Sequence, residues 1–164
     1  MKYHILIYVL FIVAFSVMTL FIGCGGSVTP VLSEQQKATK TLAEGSSWGG
    51  LNKVEVVDVP TGVDPSGLST LELVFGSSGD TEWEPTSFDA TGADEFLSTS
   101  NSTWRWGSLG TEIIALENAS STELTGVNIA GQVVTITFEI NLGGNNSRTL
   151  GLDGSYTVKL ESNQ

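Results

Sequence analysis

The residues best suited to bind something are Trp104-Arg105-Trp106. Along a strand, side chains alternate between faces, so both indoles would share one face and Arg105 the other. Facing inward, the two rings would floor a cavity for an apolar or sugar ligand, each offering a flat surface and one N–H donor. The plainer use of the same pair is to fill a core. Trp48 would add a further wall, and Arg148, in a chain poor in bases, would hold an anionic ligand or pair with a neighbouring acid. Glu82-Trp83-Glu84 places two carboxylates around an indole. On one strand face such acids would stand at about the 5–9.5 Å separation of glycoside hydrolases, although acids on a solvent face are the ordinary case. Asp58, Asp64, Asp80, Asp89 and Asp94 fall in or near expected turns. Loop oxygens of that kind suit calcium, but no D-x-D-x-D-G spacing is present and Asp caps turns for its own reasons. No metal site and no cofactor are expected.

Composition narrows the choice. The 164 residues hold 18 acids against 7 Lys plus Arg, for a net charge of −11. Nucleic-acid binding needs clustered cations that displace counterions from phosphates, so that class of partner is excluded. Charged residues make up only 15 % and glycines number 19, a balance that favours strands and turns over a helical bundle. The length supports one domain with a real core.

The first segment, MKYHILIYVLFIVAFSVMTLFI, has a short basic start and then an uncharged apolar run from Ile5 to Ile22. That is the layout of a secretory signal. It ends in Phe21-Ile22-Gly23-Cys24, which resembles the lipobox of bacterial lipoproteins. The resemblance implies cleavage between Gly23 and Cys24, a diacylglyceryl group on the Cys24 sulfur and an acyl chain such as palmitate on the new amine. Multiple chains anchor firmly at about 0.8 kcal/mol per buried CH₂. The alternative is an uncleaved membrane helix with an incidental cysteine. Cleavage would remove His4, the only histidine, and lipid would block Cys24, the only cysteine. Ser-His-Asp and Cys-His nucleophiles and imidazole or thiolate metal sites would then be closed to the mature chain. An enzyme is not expected.

Residues 1–23 therefore read as a signal peptide and 24–33 as a lipidated tether. Ser33 and Gln36 have the spacing of a capping box, which predicts one short helix over 34–44 with Gly45 as its C-cap. Its apolar content is thin, so it should pack on the domain without organising it. Residues 45–164 read as a β domain of about eight strands: 51–59, 68–75, 81–88, 103–107, 112–117, 124–130, 133–142 and 155–160. VVTITFEINL is the clearest of these, and Pro85 should place the third at an edge or bulge. The connections suit antiparallel neighbours. Closure into an up-and-down barrel or a strongly curved sheet would hide the edges.

Trp48, the VDPSG turn before LELVF, TWRWG, GVNIAGQVVTITFEI and GLDGSYTVKL follow one another in an order that resembles the lipocalin-like lipoproteins of Bacteroidetes-type bacteria. The resemblance spans about Gln35 to Leu160. It implies a lipocalin-like barrel anchored by lipid in the cell envelope, at the outer membrane, on either its periplasmic or its surface face. It brings no catalytic residues. The expected roles are binding of a small apolar ligand, accessory work in the envelope, or a filled barrel that is purely a structural or interaction module. A carbohydrate-active protein is the remaining alternative.

Overall fold

Ser33 opens the first element as its spacing predicts. Its Oγ accepts the Gln36 N–H at 3.1 Å, and Gln36 Oε1 accepts the Ser33 N–H at 2.9 Å. Both halves of the capping box are thus present, and α1 runs Glu34–Glu44. The computed structural model describes residues 31–108, 110–141 and 152–164. The expected signal peptide, Cys24 and Arg148 lie outside the described residues.

Nine strands follow: β1 Trp48–Gly49, β2 Val54–Asp58, β3 Glu72–Ser78, β4 Glu84–Thr91, β5 Thr99–Trp106, β6 Ile114–Ala119, β7 Glu123–Ala130, β8 Val133–Ile140 and β9 Gly154–Glu161. They form one antiparallel sheet in the order β1-β3-β4-β5-β6-β7-β8-β9-β2. Trp48 pairs with Leu73 of β3 on one side and bridges to Ser162, just past β9, on the other. Beyond an excursion at Gly50–Lys53 the same chain rejoins β9, with Val54 opposite Leu160. β1 and β2 are therefore two halves of one broken stave, and the nine strands make a nearly closed barrel of eight staves. The all-β expectation is met, and the strand count differs only through this break. Gly49 permits it, with φ +93° and no room for a Cβ against the Leu71 carbonyl.

Alternation points every second side chain inward. Val134, Ile136, Phe138 and Ile140 of β8 are buried beside Tyr156, Val158 and Leu160 of β9. Pro85 lies opposite Ser77, beyond a register shift that follows the Phe75–Phe88 pair, so it is tolerated at an irregularity as expected. Two expectations change. Residues 65–70 form a 3-10 helix rather than the start of a strand, because Asp64 accepts the Ser66 N–H at 2.9 Å and Pro65 stands in its first turn. Residues 79–82 form a one-turn helix, α2, so the strand expected over 81–88 begins only at Glu84.

The two barrel ends are covered. At one end Leu68 and Leu71 meet Ala93, Phe96 and Leu97, all buried. Phe96 packs edge-on against Tyr156 at 5.5 Å, and Tyr156 stacks on Phe138 at 5.5 Å. At the other end lies α1. Its Leu42 is fully buried and Thr39 nearly so, which makes it more of a plug than its composition suggested.

Candidate functional site

TWRW folds as the last half of β5, and alternation does what was expected of it. Trp104 is 3 % exposed and Trp106 is half-buried, whereas Arg105 points to solvent. The Arg105 Nε stands 3.9 Å from Glu117 Oε1, both side chains being mostly exposed, so this pair contributes little to stability. Trp104 and Trp106 meet edge to face with ring centroids 5.4 Å apart. Trp104 also meets Phe75 edge-on at 5.2 Å, and Phe75 meets Phe88 at 5.2 Å. Four rings thus fill the inner surface where β3, β4 and β5 run side by side.

Each indole N–H in this region is already engaged. Trp104 Nε1 donates to the Gly76 carbonyl at 2.8 Å, Trp106 Nε1 to Thr39 Oγ1 at 2.8 Å, and Trp48 Nε1 to the Leu42 carbonyl at 2.8 Å. Among the described residues no buried side-chain nitrogen or oxygen lacks a partner. Trp48, 1 % exposed, belongs to the α1 end of the barrel with Trp106. Arg148 lies outside the described residues, so the four candidates are not seen together.

Glu82 and Glu84 do not share a strand face. Glu82 ends α2, Trp83 takes a left-handed conformation at φ 49°, and Glu84 begins β4. Trp83 lies instead beneath the Lys40 ammonium, 5.4 Å from its ring centroid. Two of the candidate aspartates have local duties. Asp64 caps the 3-10 helix, and this hydrogen bonding to Ser66 holds its carboxyl below the usual range. Asp89 accepts from Thr99 Oγ1 at 2.7 Å. Among the described residues no three His, Cys, Asp or Glu side chains converge on one point.

Hollows lie on the outside of the barrel, and two of those lined by described residues are large. One, of about 620 Å³, runs between α1 and β7, with Lys37, Ala38 and Thr41 facing Val127, Asn128 and Ile129. The other, about 560 Å³, lies over β7–β9 and is edged by hydroxyls with Glu123 and Glu139. The α1 contribution has little signature in the sequence. Gln35, Thr39 and Leu42 fall at i, i+4 and i+7, one helix face, but only one of the three is apolar. No protein-family profile, no curated protein and no solved structure matches the chain.

Proposed function

We propose that the protein is a bacterial lipoprotein, held in the cell envelope by an acylated Cys24. On this reading its barrel is a filled, non-enzymatic module that works through its outer surface. The observation that carries the barrel's role is the occupied interior. The rings of Phe75, Phe88, Trp104 and Trp106 touch in series, and the one donor on Trp104 is engaged by Gly76. A ligand pocket of ordinary kind needs unfilled volume with a few free polar groups aimed into it, and here side chains hold both roles. The anchor half of the proposal rests on Gly23-Cys24 at the end of an uncharged apolar run. The excess of acids, 18 against 7 bases, keeps the outer surface soluble and away from polyanions.

The two halves have separate tests. Cells fed radioactive palmitate should label the wild-type chain, and the Cys24→Ala chain should lose both label and membrane fractionation. Persistent labelling would defeat the anchor. For the barrel, tryptophan emission is titrated with a brominated 16-carbon fatty acid. Emission that stays unquenched supports the filled module. Saturable quenching that weakens in Trp104→Phe would replace it with an internal apolar-ligand site.

A further inference from the structure

α1 is held to the barrel differently from the strands. The strands are joined to their neighbours by main-chain pairing, extensive at β3–β4, β7–β8 and β8–β9, whereas α1 is attached through side chains. Trp48 and Trp106 donate to it, Gln35 Nε2 donates to the Gly110 carbonyl at 3.1 Å, and Gln36 Nε2 to the Glu82 carbonyl at 2.9 Å. Gln164 Nε2 donates to the Glu44 carbonyl at 2.7 Å. Water can replace each of these at small net cost. Of the eleven residues only Thr39 and Leu42 are buried, and one apolar side chain is a weak hold. The flank toward β7 is unsealed, since the 620 Å³ hollow separates Ala38 and Thr41 from Val127 and Ile129.

The boundary of this loosely held element is sharp. Gly45 ends the helix and Ser46 turns left-handed at φ 58°. Immediately afterwards the main chain is locked, because the Asn163 N–H donates to the Ser47 carbonyl at 2.9 Å and Trp48 is bridged to Ser162. Elements with little apolar burial open locally while the rest stays folded, and a free helix of this length is marginal in water.

We propose that α1 is a releasable plug, which leaves the barrel end as a unit and uncovers Trp48 and Trp106 while the barrel from Trp48 onward stays folded. Taken with the lipid anchor proposed above, on which this part rests, the plug stands in series with the membrane tether. A pull from Cys24 reaches α1 before it reaches any strand. Release would turn a helix about 16 Å long into a segment of up to about 38 Å, lengthening the tether by about 20 Å.

Hydrogen exchange on the full chain, reconstituted in phosphatidylcholine nanodiscs, tests the plug without relying on acylation. Amides of residues 38–44 should exchange at least about tenfold faster than those of β8, as local opening requires. Leu42→Ala should accelerate the α1 amides by a further factor of about ten or more, as expected for loss of a buried leucine, and leave β8 unchanged. Unchanged β8 protection also shows that the variant is folded. A common protection for α1 and β8, or acceleration of both together in Leu42→Ala, overturns the proposal. Palmitate labelling is read separately, so failure of the anchor and failure of the plug are told apart.

Discussion

The indole N–H of Trp104 on β5 donates to the carbonyl of Gly76 on β3, reaching past β4 over 2.8 Å. Gly76 falls in the register shift between Phe75 and Ser77 and has no partner in the β3–β4 ladder. Its carbonyl accepts from a side chain there. Gly76 is half-buried, so its carbonyl is partly cut off from water, and the tryptophan supplies the donor while its ring fills the core. One residue thus satisfies a defect in the sheet and packs against Phe75 and Trp106.

Trp104→Phe keeps an aromatic ring but removes that donor. The Gly76 carbonyl then loses its donor, and stability in urea should fall by about 0.5–1.5 kcal/mol, the usual net worth of one hydrogen bond. Trp104→Ala adds a cavity and should cost about 3–5 kcal/mol. Equal stability of wild type and Trp104→Phe would show that water reaches Gly76, and with it that the rings leave part of the interior open.

Gly45 reads as a helix C-cap, yet its φ is −63° and it needs no left-handed freedom. The left-handed residue is Ser46. What Gly45 supplies is space, because a Cβ there would stand 2.6 Å from Trp48 Cε2. Helix propensity alone favours Gly45→Ala by about 1 kcal/mol. The clash pushes Trp48 off the Leu42 carbonyl, so the net effect should be destabilisation by about 1–3 kcal/mol, the usual range for overpacking. Thermal unfolding followed by near-ultraviolet dichroism checks the sign, and a stabilised variant would contradict the contact.

Much of this fold was legible because its strands are half-buried. VVTITFEI alternates without interruption and becomes β8, with every second residue inward. The capping box of α1 depends on nearest neighbours alone, so Ser33 and Gln36 announced it. Other features depend on contacts far apart in the chain. The break between β1 and β2 follows from where β9 and Leu71 lie. The left-handed turn at Trp83 dissolved the expected Glu82–Glu84 face, and no local pattern requires it. Thr39 is buried by its bonds to Gln35 and Trp106, so a polar residue joins the plug face unseen. At the candidate site the shared face of Trp104 and Trp106 was readable, but the engagement of their N–H groups was not, since Gly76 and Thr39 are 28 and 67 residues away.

Tyr156 gives the barrel an alkaline weakness. The ring is fully buried between Phe96 and Phe138, and its hydroxyl donates to the Leu152 carbonyl at 2.5 Å. Burial, and secondarily the charge of Asp153, raise its pKa above the ordinary 10.0. The folded state thus favours the neutral phenol, which still carries the proton it donates. A raised folded pKa means that this contribution is complete below the unfolded value near 10 and is lost as pH rises through the folded one. Urea midpoints should be flat from pH 7 to 9 in this respect and fall above about pH 10. Tyr156→Phe should lower stability at pH 8 by about 0.5–1.5 kcal/mol, the usual net worth of one hydrogen bond. It should also lose much of the decline above pH 10, because no phenol remains to ionise inside the barrel. An equally steep alkaline decline in the variant would assign it to other groups.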